Sequence, residues 1–316
     1  MSPLRLAFAG TPELAAVVLE AMVLNDFMPS VVLTQPDRRS GRGRKLSRSP
    51  VKEVAQTHDI AIMQPERLKD GEAAAQLASY DLDAMIVAAY GLIVPPQILS
   101  LPRYGCLNVH GSLLPRWRGA SPIQAAILAG DTHTGVTIMQ MDAGLDTGTM
   151  LSETTCPIEA DDTAESLTAK LATMGAREMV TVLRQLTVAP LAGKTQEATL
   201  ATYAPRIRKD DAKLDFTRTA LELEREVRAY RPWPVSYTSV NGERLRVWAA
   251  HADANADLGG MLPGTVVTCD EASIVVATAG GALHLLTVQR AGAKAVSAQA
   301  FLRARPIAPG TVIGQS

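Results

Sequence analysis

Apolar runs of strand length alternate with helical patterns through the first half of the chain, and few folds accommodate that rhythm. Leu4–Ala9, Ser30–Thr34, Ala84–Ala89, Cys106–His110 and Gly135–Met139 read as strands, while Glu13–Leu24, Val51–His58, Gly71–Ser79 and Pro122–Ala129 fit helices between them. Parallel neighbours need a crossover that returns the chain to the same end of the sheet, and a helix supplies it. The alternation therefore predicts a mostly parallel sheet with helices on both faces. Hydrophobic residues are 47% of the 316 and charged residues 20%, enough apolar side chain to fill such a core.

The expected class is α/β, with a Rossmann-like first domain. A dinucleotide-binding sheet would carry its glycine fingerprint after the first strand. Here Gly10, Thr11 and Pro12 follow without the G-x-G-x-x-G spacing, which disfavours a nicotinamide cofactor. A helix opens at Asp162–Glu165, an N-cap followed by a carboxylate, and runs through Leu167, Leu171, Met179 and Leu186. Periodicity is lost across Thr187–Thr202. After a helix at Thr219–Ala229, short β-rich runs separated by Gly and Asn turns (Val235–Val240, Arg244–Ala249, Gly264–Cys269, Ser273–Ala277, His284–Val288) predict a small closed β-barrel of OB-like type. The expected organisation is a first domain over residues 1–189, a linker over 190–208 and a barrel over 209–316. No apolar run reaches the ~18 residues of a membrane span. The N-terminal apolar run reads as a first strand rather than a leader, so a cytoplasmic protein is expected. Cys106, Cys156 and Cys269 lie far apart without metal-ligand spacing, which predicts reduced thiols and no bound metal.

Charge is unevenly spread. The net charge of −1 excludes a globally basic nucleic-acid binder. Residues 36–52 nevertheless hold seven Lys or Arg against one Asp, while the rest of residues 1–189 holds nine basic and nineteen acidic residues. Such a segment suits a polyanion, because Arg forks and Lys point charges match phosphate oxygens. Gly41 and Gly43 predict a flexible loop; a solvated surface loop without a ligand is the plainer reading.

The chemistry points to Cys106–His110 and the residues after it. On a strand, Asn108 and His110 share a face, roughly 7 Å apart at their Cα atoms. Gly111 follows at once, placing the pair at a strand end, where open α/β sheets bind ligands. A carboxamide donor and an imidazole there can bind a developing oxyanion, and imidazole can relay a proton near neutral pH. The same pair also suits a strand end without chemistry. Met141–Gly148 places Asp142 and Asp146 in a Gly-containing loop, where a carboxylate can orient His110 or close an Asx-type turn.

Asn108-Val-His110-Gly-Ser-Leu-Leu-Pro115, followed by the Asp142/Asp146 loop, resembles the 10-formyltetrahydrofolate-dependent formyltransferases. Phe8–Pro12, Thr34–Asp37, Gly41–Gly43, Ser49–Lys52, Arg118–Gln124, Met141–Gly148, Thr202–Pro205 and Arg231–Pro234 are similar to stretches of the branch that formylates methionyl initiator tRNA. The resemblance runs from residue 4 to about residue 305. It implies Asn108, His110 and Asp146 as the catalytic trio. Ser112, Leu113, Leu114 and Pro115 match the folate-binding segment; Tyr90, Gly91, Leu92, Ile93 and Asp142 match the pterin pocket's walls. Within the inserted loop 34–49, Arg42 matches the arginine that enters the tRNA acceptor end, with Arg38, Arg39, Arg44 and Lys45 beside it. Arg206, Arg208 and Lys209 become phosphate contacts near the barrel's entry. Leu14 and Ser121 depart from the usual aromatic and Ala, outside the trio.

The implied partners are initiator methionyl-tRNA and 10-formyltetrahydrofolate as cosubstrate, with no metal and no membrane, in a monomer. The α-amino group would attack the N10-formyl carbon, Asn108 would donate to the oxyanion, and His110 would donate or take the amine's proton. Formyl transfer to a ribonucleotide or sugar-nucleotide amine, formyl-folate hydrolysis and non-catalytic tRNA binding are the competing readings. If Arg42 grips the acceptor end, Arg42→Leu weakens turnover of charged tRNA but spares any slow donor hydrolysis. Parallel assays of both check this, and equal loss of the two contradicts it.

Overall fold

The computed structural model describes residues 3–40, 45–269 and 272–315. The chain forms two compact units: Met1–Pro122, His133–Pro157 and Thr168–Ala204 make the first, and Ile123–Thr132, Ile158–Leu167 and Pro205–Ser316 the second. This division differs from one drawn at residues 189 and 209. Two short segments from the first half group with the C-terminal part, and residues up to Ala204 group with the first unit.

The elements up to residue 204 are β1 (Leu6–Gly10), α1 (Glu13–Val23), β2 (Val31–Leu33), β3 (Arg38–Ser40), β4 (Lys45–Ser47), α2 (Pro50–Thr57), β5 (Ala61–Met63), α3 (Glu72–Ala78), β6 (Ala84–Ala88), α4 (Pro96–Leu99), β7 (Cys106–His110), β8 (Arg118–Gly119), α5 (Pro122–Ala129), β9 (His133–Gln140), β10 (Met150–Pro157), α6 (Ala164–Leu186) and β11 (Tyr203–Ala204). Seven strands form the main sheet in the order β10-β9-β7-β6-β1-β2-β5. Pairing is parallel from β7 through β5, and β9 and β10 continue the sheet antiparallel. The middle strands β1 (LAFAG) and β6 (AMIVA) are buried at every residue, as strands covered on both faces must be. Ala7, Ala9, Val31, Leu33, Met85 and Val87 share a core with Leu77 of α3 and Ile98 of α4. Leu6, Phe8 and Ile86 alternate to the opposite face and are also buried. Two strands of this sheet gave no sequence signal: β5 has three residues, and β10 carries Ser152, Glu153, Thr154 and Thr155 along its length.

The arms of the basic insertion are β3 and β4, paired antiparallel as a hairpin; Gly41–Arg44 lie outside the described residues. The long helix starts one residue later than its sequence suggests. The Thr163 hydroxyl accepts the Ser166 N–H at 3.2 Å, while the Asp162 carboxylate takes the Glu159 N–H at 2.9 Å and the Ser166 hydroxyl at 2.7 Å. Cys106 and Cys156 are buried, and among the described residues none of the three cysteines forms a disulfide. Among the described residues, no helix is long and apolar enough to cross a membrane.

The second unit carries α7 (Ala220–Ala229), β12 (Tyr237–Val240), β13 (Glu243–Asp253), β14 (Val266–Cys269), β15 (Ile274–Ala277), β16 (Ala282–Arg290), β17 (Val296–Ser297) and α8 (Ala298–Ala304). Its antiparallel sheet runs β12-β13-β16-β15-β14, with β17 on β16. The sheet curls around Leu223, Val227, Leu245, Val247, Ile274, Val276, Leu283 and Leu285. The tail bridges its two end strands. Val266 donates to the Thr311 carbonyl at 2.8 Å, Ile313 to the Gly264 carbonyl at 2.8 Å, and Gly314 to the Ser239 carbonyl at 2.9 Å.

α7 begins with a capping box: the Thr219 hydroxyl accepts the Glu222 N–H, and the Glu222 carboxylate accepts the Thr219 N–H at 2.9 Å. One turn on, Glu226 is buried. Arg218 donates to one of its oxygens at 2.7 Å, and the other has no partner among the described residues. Burial outweighs the arginine and pushes the Glu226 carboxyl up to about 7. A carboxyl whose folded pKa exceeds its unfolded value of 4.5 holds its proton more readily folded, so its contribution to stability is lost as pH rises towards 7. Glu226→Gln should remove that part of the slope, leaving stability flatter than wild type when urea midpoints are compared between about pH 5 and 8.

Candidate active site

β7 is locked on both edges. Val87 of β6 and Met139 of β9 flank Asn108, and Thr137 of β9 faces His110. This register holds Asn108 and His110 on one face of the sheet. Asn108 is half-buried, and its carboxamide makes no hydrogen bond among the described residues. His110 is buried.

The imidazole is held at one nitrogen and faces a carboxylate with the other. Nε2 lies 3.0 Å from the Trp117 carbonyl oxygen, and Nδ1 lies 3.8 Å from Asp146 Oδ2. A carbonyl only accepts, so Nε2 carries the proton and Nδ1 is the nitrogen left free for proton transfer. The contact to Asp146 is looser than a hydrogen bond, so the imidazole is oriented first by a backbone carbonyl. The carboxylate has its own support: Oδ2 accepts the Gly119 N–H at 2.7 Å. Thr149 and Gln140 close the base of the Asp146 loop with a 2.8 Å backbone bond, and a Cβ at Gly148 would overlap the Gln140 carbonyl.

The segment after β7 divides its labour. Ser112 is fully buried, and its hydroxyl donates to the Arg116 carbonyl at 2.6 Å. Thr137 ties the turn, donating to the Ser112 carbonyl at 2.7 Å and accepting the Leu114 N–H at 3.1 Å. Ser112 and Leu114 thus shape the turn from within, while Leu113 and Pro115 are half-buried. After β6, Tyr90 is buried and its hydroxyl has no partner among the described residues; burial pushes its pKa up to about 12. Leu92 is half-buried and Ile93 exposed. Asp142 closes an Asx-type turn, its Oδ1 accepting the Gly144 N–H at 2.9 Å and the Thr147 hydroxyl at 2.6 Å. Leu145 is exposed on the same loop.

The insertion is anchored by a polar network that the sequence did not signal. Lys52 donates to Asp37 at 2.7 Å and to Gln64 at 2.8 Å. Gln64 donates to the Gln35 carbonyl and to Asp37, both at 2.9 Å, and Gln35 Nε2 reaches the Tyr90 carbonyl at 3.1 Å. Hydrogen bonds from Lys52 and Gln64 hold the Asp37 carboxyl below its ordinary range. Lys52 therefore belongs to the root of the hairpin and not to its free charge. Arg38 is exposed; Arg39 and Lys45 sit on the hairpin arms, and Arg42 and Arg44 lie outside the described residues. In the second unit Arg206, Arg208 and Lys209 are exposed.

Backbone groups and a distant glutamine complete the site, and sequence reasoning missed them. Gln196 is buried; Nε2 donates to the carbonyls of Asp146 and Gly148 at 2.8 and 2.7 Å, and Oε1 accepts from buried Arg118 at 2.8 and 3.0 Å. Thr202 Oγ1 accepts the Trp117 N–H at 2.9 Å. The family-like stretches Arg118–Gln124 and Thr202–Pro205 were the available signal, but they gave Thr202 no role, and the two-residue strands β8 and β11 carry no periodicity. No group of three His, Cys, Asp or Glu side chains is arranged to hold a metal ion among the described residues. A cavity of about 500 Å³ beside β5, lined by Gln64, Glu66, Arg67, Asp70, Glu72 and Gln76 among others, contains none of the trio.

Comparison with known proteins adds an independent line. The family described as formyl transferase matches residues 4–183, and formyl transferase, C-terminal domain, matches residues 206–306. A methionyl-tRNA formyltransferase of Stutzerimonas stutzeri (strain A1501) is 47% identical over 315 residues, covering 99% of both chains. Among solved structures, an N-formyltransferase from Helicobacter canadensis in complex with folinic acid and dTDP-3-aminofucose superposes with a TM-score of 0.65 at 18% identity, covering 91% of this chain and 98% of that one. HypX from Aquifex aeolicus in complex with tetrahydrofolic acid gives 0.63 at 13% identity over 95% of this chain, which spans about half (47%) of HypX. These two likenesses establish the fold alone.

Proposed function

The chain belongs to the formyl transferase family, and from that premise we propose that it transfers the formyl group of 10-formyltetrahydrofolate to the free α-amino group of methionyl initiator tRNA, giving N-formylmethionyl-tRNA for translation initiation. One coincidence carries this reading. A free carboxamide beside an oriented imidazole, a pair suited to acyl transfer, lies in a chain collinear from end to end with a methionyl-tRNA formyltransferase.

The residues present fit a formyl-folate donor. Ile93 and Leu145 are exposed apolar side chains that a flat ring system would cover, and the Asn108 amide has a free donor for a formyl oxygen. Bound there, the folate supplies a formyl group already activated for transfer. Asn108 Nδ2 donates to the oxygen on which negative charge develops, with no existing partner to give up. His110 keeps its Nε2 proton on the Trp117 carbonyl and takes the amine's proton at Nδ1, where Asp146 faces the new N–H; as the bond from the formyl carbon to N10 breaks, that proton passes to N10, leaving tetrahydrofolate and the formylated amine. An α-amino group with an ordinary pKa near ~7.7–8 is readily neutral enough to attack.

Arg38, Arg39, Arg42, Arg44 and Lys45 hold the tRNA acceptor end in this proposal, and Arg206, Arg208 and Lys209 contact its backbone. The protein works as a cytoplasmic monomer.

The direct test is formylation of charged initiator tRNA with and without 10-formyltetrahydrofolate, repeated with glycinamide ribonucleotide and a sugar-nucleotide amine as acceptors. Donor-dependent product on the tRNA alone is expected. Preference for either small amine, or donor breakdown with no amine present, contradicts the reading. Asn108→Ala should lower kcat by about 10²–10³, the usual cost of one oxyanion donor, with KM for both substrates little changed. Near-normal turnover in that variant removes Asn108 from the chemistry.

A further inference from the structure

Two residues beside the imidazole hold left-handed backbone, Trp117 at φ +61 and Asp146 at φ +53. Side chains disfavour this region, and such residues persist where their surroundings over-determine them. Here one segment, residues 194–204, holds both. Thr202 brackets Trp117: its hydroxyl accepts the Trp117 N–H at 2.9 Å, its carbonyl accepts the Arg118 N–H at 2.9 Å, and its N–H donates to the Pro115 carbonyl at 3.3 Å. Gln196 holds the Asp146 carbonyl at 2.8 Å and, through Oε1, the buried Arg118 guanidinium. Ala120 donates to the Ala204 carbonyl at 2.9 Å, so Gly119, the donor to the Asp146 carboxylate, lies between two residues tied to the segment. All four polar valences of the Gln196 amide are used.

We propose that Thr202 and Gln196 are positioning residues, and that segment 194–204 is a strap setting where the Trp117 carbonyl and the Asp146 carboxylate stand relative to His110. The inference rests on the reading that His110 and Asp146 serve formyl transfer. The link is geometric. Trp117 reaches Nε2 only while its backbone keeps the left-handed turn, and that contact leaves Nδ1 facing Asp146. If Thr202 releases the Trp117 N–H, the left-handed turn loses one of its ties and is held only through the Arg118 N–H, so the Trp117 carbonyl shifts and the ring loses the acceptor that selects its tautomer.

The test uses the full chain. Thr202→Val removes the acceptor at nearly constant shape; Thr202→Ser keeps it. Two quantities are read: steady-state kcat and KM for both substrates, and the 15N signals of the His110 ring in the resting enzyme. Thr202→Val should lower kcat by about tenfold or more with KM within about twofold, since small misplacements of reacting groups reach a 10²-fold cost. It should also turn a protonated Nε2 into a mixture of tautomers, and Thr202→Ser should restore both. A wild-type tautomer in Thr202→Val, an unchanged kcat, or a Thr202→Ser as impaired as Thr202→Val each overturns the proposal. Should Thr202→Val fail to fold, Gln196→Glu decides: it keeps the acceptor for Arg118 and loses the donors to Asp146 and Gly148. A fall in kcat at constant KM then supports the strap, and wild-type kcat overturns it. The nitrogen signals need no turnover, so a tautomer shift would appear even if the assigned reaction were wrong.

Discussion

Position in the site follows from the register of β7. The strand is parallel to β6 on one edge and antiparallel to β9 on the other, so neither edge is free to slip. A shift of one residue would turn Asn108 and His110 to the opposite face and bring Leu107 and Val109 in their place. Leu107 is 1% exposed and Val109 7%, so such a slip would put a carboxamide and an imidazole where these apolar side chains are buried. The hydrophobic pattern of five residues thereby fixes a carboxamide and an imidazole side by side, before any loop contributes.

The loops then add what a strand cannot. Two opposite states of polar satisfaction occur in the first unit. The Asn108 carboxamide is left without a partner, and the Gln196 carboxamide has all of its hydrogen bonds made. A saturated amide rigidifies its surroundings, and a free one keeps its donor available. The same contrast holds for charge. Lys52 and Asp37 neutralise each other at the insertion's root, while the six Lys and Arg of residues 38–48 have no carboxylate among them. Root and tip thus have separate work: one holds the hairpin on the sheet, the other carries the charge that suits phosphate.

Much of this was legible in the residues. The buried strands β1, β6 and β7 are apolar enough to read directly; the i, i+2 spacing puts Asn108 and His110 on one face, a pair that also suits a strand end without chemistry, and the family resemblance rather than spacing singles out Asp146. The rest was hidden for physical reasons. The Trp117 carbonyl belongs to the backbone, which no residue type advertises. Gln196 and Thr202 lie in an Ala-, Thr- and Pro-containing stretch whose lost periodicity reads as a linker, yet up to Ala204 it lies on the first unit through single hydrogen bonds. β5 is too short for a pattern, and β10 is polar because it lies at the sheet's edge. Ser112 shows the opposite limit: its place in a family motif is visible, but that its hydroxyl is spent inside the turn is not.

The central claim is that Asn108 and His110 together receive the formyl oxygen and the amine's proton. A crystal structure with a non-reactive formyl-folate analogue tests it most directly. The account places the formyl oxygen about 2.7–3.1 Å from Asn108 Nδ2, with Nδ1 of His110 open to the side from which an amine would approach. An analogue seated elsewhere, in the cavity beside Gln64 for example, or a formyl group turned away from Asn108, would contradict it.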